Sequence, residues 1–272
     1  MEYWPTEQQQ LIQASVQNFL ATECTPQVVR AAYDTPQLFD TRLWQGLAEL
    51  GVTGTLIPED HGGVGLGLIE AALVSEELGR HTTPVFLEGH NLAGLAISKG
   101  GTPEQKERFL AGLASGELIG TLAVIGEDTG TPWPGWAVEP GGNQKQASSL
   151  VPQADAADVI IVGCKQGRIG VLEKKQTDVQ TEYLDGVDGS RMVFLVTFDE
   201  GAVQPLPNLA GDALISALST LLAADAFGVA SKLLEITTEY AKTREQFGQP
   251  IAQFQAVKHQ LADIALARIF HE

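Results

Sequence analysis

Residues 240–267 read YAKTREQFGQPIAQFQAVKHQLADIALA, and this stretch decides the fold. A helical segment ends near Arg244, and Gly248 and Pro250 break the helical pattern before a second helix begins. An arginine at such a corner can pair with a phosphate through two hydrogen bonds, while Phe247 covers an adjacent ring. A cation that complements the dipole of a helix end is an equally good interpretation. The stretch therefore predicts two helices joined by a corner that either binds a phosphate or ends a helix.

The composition is that of a globular protein that repels other anions. The 272 residues are 44% hydrophobic, and 34 acidic against 17 basic side chains give a net charge of −17. Such a charge disfavours nucleic acid and anionic membrane surfaces as partners. No run approaches the roughly 18 apolar residues of a membrane span, and the start MEYWPTEQQQ lacks the features of a signal peptide. We therefore expect a cytoplasmic protein.

Residues with reactive or metal-binding side chains form no recognisable motif. Cys24 and Cys164 lie far apart, which favours isolated buried thiols over a disulfide or a metal site. The histidines lack metal-ligand spacing, so no metal is predicted; they are His61, His81, His90, His259 and His271. The serines lack the G-x-S-x-G elbow of a hydrolase nucleophile; those considered are Ser75, Ser98 and Ser216. The run HGGVGLG at 61–67 lacks the Lys-Ser/Thr ending of a phosphate loop, which favours a turn between helices.

The periodicity divides the chain into three domains in the order helical, β, helical. Residues 1–117 carry helical spacing, with Thr6 and Thr102 as expected N-caps and Gly51 as an expected helix end. Residues 118–207 carry short β-branched runs such as ADVIIVG and RMVFLVTF, separated by turn residues. Residues 208–272 return to helical spacing, with a long segment that is apolar on more than one face. This order predicts an α+β protein.

A loop rich in Pro and Gly lies inside the β domain, between 126 and 147. Its tryptophans, Trp133 and Trp136, have two interpretations. They line a ligand cleft, or they fasten the loop to the domain as aromatic anchors.

The sequence resembles the acyl-CoA dehydrogenase family over nearly its whole length. The similar segments occur in order: IPEDHGGVGLGLIEAALVSEELGR at 57–80, TPEQKERFLAGLASGELIGTLAV at 102–124, ADVIIV at 157–162, and the stretch quoted first. The resemblance implies an N-terminal helical domain, a middle β-barrel and a C-terminal helical bundle, of which only two long helices are present here. It also implies FAD at a subunit interface.

In the family, the arginine and aromatic of the R-x-x-F-G corner reach the flavin nucleotide of the neighbouring subunit. The resemblance assigns this role to Arg244, Gln246 and Phe247, and more weakly to Ile251 and Phe254. The predicted cofactor is therefore FAD, bound at a subunit interface and held mainly by a partner chain.

The positions that hold a subunit's own flavin depart from the family pattern. Gly126 stands where the family has the threonine of T-E-P-x-A-G-S-D, and no Ser-Asp pair follows it. Leu150 stands at the aromatic position of N-G-x-K-x-W-I-T-N, and Pro152 stands at its hydroxyl position. Leucine cannot stack like an indole, and proline offers neither a hydroxyl nor a backbone N–H. The chain's own flavin contacts are therefore expected to be incomplete.

The catalytic base of the family is also missing. Oxidation of an acyl-CoA requires a carboxylate that removes the α-proton while hydride leaves for the flavin. Most family members supply it from a late helix that this sequence does not contain. Other branches place it 26 positions before the motif arginine, where this chain has Leu218. Asp225 lies on the same segment, but no motif assigns it a role, and the catalytic residue stays unassigned.

These observations predict a subunit of a flavin-dependent acyl-CoA dehydrogenase that completes the FAD site of a homologous partner. The arrangement resembles paired dehydrogenases, including those that act on CoA thioesters of steroid side chains. The expected partners are a homologous subunit or a second copy, an acyl-CoA, and electron-transfer flavoprotein or another acceptor. Two alternatives stay open: a catalytically inactive assembly protein, and a self-sufficient dehydrogenase with an unrecognised base.

Overall fold

The first part of the protein consists of helices that pack around apolar side chains. The computed structural model describes residues 5–35, 39–123, 125–126, 138–144 and 146–271. The helices before residue 118 are α1 (Glu7–Glu23), α2 (Pro26–Asp34), α3 (Thr41–Glu49), α4 (Leu68–Arg80), α5 (Leu87–Gly100) and α6 (Pro103–Ala114). The predicted helical character of this region is confirmed.

The ends of these helices follow the sequence signals. Thr6 and Thr102 each accept a hydrogen bond from the backbone N–H three residues later, at 3.3 Å in both cases. The side chains of Gln9 and Gln105 accept the threonine N–H in return, which completes a capping box at each helix. Gly51 follows α3 with a φ of 77°, the left-handed conformation in which glycine has no steric penalty.

Residues 120–205 form two four-stranded sheets. The first has the order β1 (Gly120–Ala123), β4 (Val159–Cys164), β5 (Arg168–Glu173) and β8 (Gln204–Pro205), with β1 parallel to β4. The second is antiparallel, with the order β2 (Ile125–Gly126), β3 (Ala147–Pro152), β7 (Val193–Phe198) and β6 (Gln180–Leu184). The chain passes from the first sheet into the second between β1 and β2. Within the described residues the strands thus form two sheets and not the closed barrel that the family resemblance implied.

One apolar core lies between the two sheets and another lies between the first sheet and the helices. Ile160 and Val162 of β4 join Val196 of β7 in the core between the sheets. Val159 and Ile161, which alternate with them, pack instead with helices α5 and α6 and with a later helix, α7 (Gly211–Thr243). Because both faces of β4 are covered, this strand is apolar at consecutive positions. The predicted β segment ADVIIVG is therefore the strand that connects the two cores.

The last part of the chain contains α7 (Gly211–Thr243), a hairpin of β9 (Glu245–Gln246) and β10 (Gln249–Pro250), and α8 (Gln255–His271). The first half of α7 buries Leu214, Ala217 and Leu221 against the helices and the first sheet. By length and composition α7 could cross a membrane, but 39% of its most apolar window is buried inside the protein. The predicted long helix and the predicted second helix are both confirmed.

Candidate functional site

The corner after α7 is held by backbone hydrogen bonds. The Arg244 N–H donates to the Tyr240 carbonyl at 2.8 Å, and the Ile251 N–H donates to the Arg244 carbonyl at 2.8 Å. Arg244 itself has left the helix, with φ −74° and ψ 120°. These bonds fix the path of the chain on both sides of the hairpin, so the corner has a defined shape without help from side chains.

The hairpin has a two-residue turn in a conformation that disfavours its first residue. Gln246 pairs with Gln249, and the intervening Phe247 and Gly248 have φ values of 53° and 78°. Two successive left-handed residues are the signature of a type I′ turn, in which Asn-Gly is preferred. A phenylalanine in this conformation costs roughly 1–2 kcal/mol relative to glycine or asparagine.

Phe247 receives little compensation for that cost from the rest of the chain. Its side chain is 92% exposed, although its ring lies edge-on to Phe254 with centroids 6.1 Å apart. The hairpin thus combines backbone strain with an exposed aromatic side chain, a combination that is common at binding sites.

The remaining predicted cofactor residues lie directly before and after Phe247 along the chain. Arg244 and Gln246 are exposed, whereas Ile251 and Phe254 are half-buried. Within the described residues Arg244 makes no salt bridge, so its guanidinium is available for an external anion. The corner therefore combines a free cation, an exposed ring and a short apolar floor, which together suit a phosphate next to a planar ring.

The strand positions predicted to hold the chain's own flavin have side chains of another kind. Leu150 lies in β3 opposite Ile125 on one side and Leu195 on the other. Pro152 ends the same strand, and its carbonyl accepts a hydrogen bond from the Thr121 hydroxyl at 2.6 Å. The side chain of Leu150 has no aromatic ring to stack, and Pro152 has no donor to offer. These residues do not fit an isoalloxazine ring.

Of the other residues considered in that region, the structure describes the strand pairing of Gly126 but neither tryptophan. Gly126 pairs with Ser149 as the last residue of β2. Trp133 and Trp136 lie outside the described residues, so both interpretations of their role stay predictions.

The helix that carries the alternative base position offers no free carboxylate there. Leu218 is half-buried and packs against the helical core. Asp225, two turns later, receives both arms of the Arg191 guanidinium, at 2.9 and 2.5 Å. A carboxylate held in such a fork is a structural ion pair rather than a base ready to accept a proton. The described part of α7 therefore supplies no catalytic base at either position.

One buried carboxylate, that of Glu88, is not predicted from the sequence. Glu88, near the start of α5, is 1% exposed, and neither of its oxygens has a hydrogen-bond partner among the residues that the structure describes. Burial raises the pKa of Glu88 to about 7, although the charge of Arg191 acts in the opposite direction. The signal that could have found it is a single acidic residue inside the apolar run VFLEGHNLAGLAI.

The two cysteines and the buried histidine are uncharged parts of the protein interior. Burial raises the pKa of Cys24 to about 11 and that of Cys164 to about 12, so both remain thiols at neutral pH. His90 accepts a hydrogen bond from the Gly120 N–H at 3.0 Å through Nδ1, and its Nε2 lies 3.0 Å from the Leu113 carbonyl. Burial lowers the pKa of His90 to about 4, which keeps this bridge neutral.

Comparison with known proteins decides the family. The model of the acyl-CoA dehydrogenase N-terminal domain matches residues 6–117, and that of the C-terminal domain matches residues 218–269. Acyl-CoA dehydrogenase IpdE2 from Mycobacterium tuberculosis is 34% identical over 264 residues, which are 96% of this chain and 72% of that protein. The chain belongs to the acyl-CoA dehydrogenase family.

Solved structures of acyl-CoA dehydrogenases share its architecture. A variant of the Tcur3481-Tcur3483 steroid dehydrogenase superposes with a TM-score of 0.86 at 32% identity, covering 96% of this chain and 74% of that one. The ChsE4-ChsE5 complex from Mycobacterium tuberculosis gives 0.85 at 28% identity, covering 99% of this chain and 77% of that one. The second is named as a complex of two proteins, and the name of the first joins two protein names. The predicted fold class and the family resemblance are thereby confirmed.

Proposed function

We propose that this chain is a subunit of a FAD-dependent acyl-CoA dehydrogenase and completes the FAD site of a homologous partner subunit. One contrast carries the proposal. The corner after α7 keeps an exposed Arg244, which makes no salt bridge to any described residue, and a strained, exposed Phe247. The strand that would hold the chain's own flavin has Leu150 and Pro152, which fit no flavin.

Each residue of the corner has a specific task in this proposal. Arg244 forms paired hydrogen bonds to the diphosphate of the partner's cofactor, because the guanidinium fork matches phosphate oxygens. Phe247 covers a planar ring of the same nucleotide, and Gln246 beside it donates or accepts a further hydrogen bond. Ile251 and Phe254 form the apolar floor behind Phe247. The chemistry that bound FAD supplies is acceptance of the hydride that leaves an acyl-CoA during α,β-desaturation.

The names of the relatives support a hetero-oligomer that acts on an acyl-CoA, and we infer that it lies in the cytoplasm. The names of both solved relatives pair two chains, and one of them is a steroid dehydrogenase. We infer that the partner supplies the catalytic carboxylate and the remaining flavin contacts. The electrons then pass to an electron-transfer flavoprotein or a comparable acceptor.

The test compares two neighbouring cations in the complex with a co-expressed full-length homologue. Arg244→Ala removes the proposed phosphate contact, whereas Lys242→Ala removes an exposed cation that pairs with Glu239 on α7. Loss of charged hydrogen bonds worth about 1.5–3 kcal/mol weakens FAD binding by roughly 10- to 100-fold. We expect this loss for Arg244→Ala alone, with the native mass of the complex unchanged in both variants.

Other outcomes separate the alternatives. Equal FAD affinity in the two variants would contradict the proposed role of Arg244. If the chain purified alone binds FAD and oxidises an acyl-CoA, it is a self-sufficient dehydrogenase. The chain is an assembly protein if it joins the complex but the partner's flavin content and activity stay the same in both variants and also when this chain is left out.

A further inference from the structure

Three charged side chains meet where the helical region, the sheets and α7 come together. They are Glu88 on α5, Arg191 in the segment before β7, and Asp225 on α7. Arg191 and Asp225 are largely buried and joined by two hydrogen bonds, and Glu88 is fully buried. We call these three residues the junction cluster. It joins segments that are far apart in sequence.

The junction cluster contains one carboxylate more than it can neutralise. Arg191 directs both arms of its guanidinium to Asp225, and Glu88 has no hydrogen bond to any described residue. The Oδ1 atom of Asn91, one turn further along α5, is also buried and has no partner in the described part of the chain. An ionised carboxylate in such a place loses its hydration without replacement, and a neutral carboxylic acid loses far less. A proton on Glu88 removes the excess charge.

The partner of Arg191 cannot move away to relieve this imbalance. Helices α4 and α7 cross in close contact at Gly79 and Gly228. A Cβ atom on Gly79 would lie 2.0 Å from the Asp225 carbonyl oxygen, and one on Gly228 would lie 1.9 Å from the Glu76 carbonyl oxygen. The backbone of Asp225 is therefore fixed against α4, and the repulsion between Asp225 and Glu88 acts on a rigid neighbour.

The other charges nearby are engaged elsewhere. Glu77 and Arg80 on α4 interact with Glu235 on α7 in a separate network. Asp188 lies in the same segment as Arg191 and adds negative charge near it. The charges that act on Glu88 are those of Arg191 and Asp225. His90 on α5 bridges Leu113 and Gly120 instead.

We propose that the junction cluster is a proton-linked latch, which joins α5, the sheets and α7 most tightly when Glu88 carries a proton. Loss of the proton places an unpaired anion beside Asp225 and loosens the junction. The device is independent of the proposed role in a partner's FAD site, because it lies in the first half of α7 and not at the corner.

The sign of the pH dependence follows from the pKa of Glu88. Its value is about 7 in the folded protein against 4.5 in the absence of the fold, so the folded state binds the proton more strongly. The stabilisation by the latch is complete below pH 4.5, declines as the pH rises towards about 7, and is absent above it. Glutamine at position 88 imitates the neutral acid at every pH.

The experiment measures the melting temperature of wild type and Glu88→Gln at several pH values between about 5.5 and 8.5. The difference between the two proteins cancels the titration of all other groups. We expect the smallest difference in melting temperature at the acidic end and a growing difference as the pH rises, up to an advantage of about 5 °C for Glu88→Gln at the alkaline end. Asp188→Asn serves as the control and should keep the pH profile of the wild type.

A second measurement, made first on the wild type, does not depend on whether Glu88→Gln folds. Infrared titration of the wild type should show a protonated carboxyl band that disappears near neutral pH. In Asp225→Asn, Arg191 is released to Glu88, and the midpoint of this band should move to lower pH. A constant difference between wild type and Glu88→Gln, or an infrared band that disappears in the ordinary range of glutamate, would overturn the proposal.

Discussion

The two halves of α7 differ in what covers them. In the first half the apolar side chains of Leu214 and Leu221 are buried, and Asp225 fixes Arg191. In the second half Leu233, Ile236 and Tyr240 are more than half exposed, and the helix leads directly to the exposed Phe247. One helix thus serves as a core element over one length and presents an apolar surface over the other. The difference separates what the chain needs for folding from what it offers to another molecule.

The largest effect should come from the same substitution made in the two halves. Leu221→Ala removes a fully buried side chain and leaves a cavity, which should lower the free energy of unfolding by about 3 kcal/mol. Leu233→Ala removes a side chain that is 58% exposed and should cost less than about 1 kcal/mol in the isolated chain. Urea denaturation of both variants measures the difference. A similar loss of free energy of unfolding in both variants would mean that other residues of this chain cover the second half of α7.

A smaller effect, of opposite sign, is expected at the hairpin. Phe247→Asn places the preferred Asn-Gly pair in the type I′ turn and should raise the free energy of unfolding of the isolated chain by about 1 kcal/mol. The same variant should weaken FAD binding in the complex, because the ring is lost. Val187→Asn, at an exposed apolar residue of the β region, is the control for removal of surface hydrophobicity. A variant that is less stable than the wild type would argue that the ring stabilises this chain itself.

Several features of the fold could be predicted from the sequence, and the others could not, for physical reasons. Thr6, Thr102 and Gly51 predicted helix ends correctly because capping depends on local backbone geometry. The ends of helix α5 have no predicted signal, since its sequence LEGHNLAGLAISKG contains several glycines, its N-terminus has no side-chain cap, and its stability comes from burial. The pairing of strands into two sheets could not be derived either, because register and sheet order depend on contacts between distant residues.

The buried and exposed charged residues also differ in whether the sequence could predict them. The corner residues are contiguous, so a motif could identify Arg244 and Phe247, although their role in binding FAD stays a prediction. The left-handed conformation of Phe247 gives that prediction physical support which the sequence did not contain. The junction cluster draws on three distant segments, and only the fold brings Glu88 close to Arg191 and Asp225. Sequence periodicity carries no information about such a meeting.

The flavin stoichiometry of the wild-type complex tests the central claim most directly. Native mass and flavin absorbance of the complex with a co-expressed full-length homologue give the number of FAD molecules for each pair of chains. We predict a single FAD for each pair, lost in part when Arg244 is replaced by alanine, because this chain contacts the partner's cofactor and holds none itself. Two FAD molecules for each pair, with one retained when this chain is purified alone, would contradict the account.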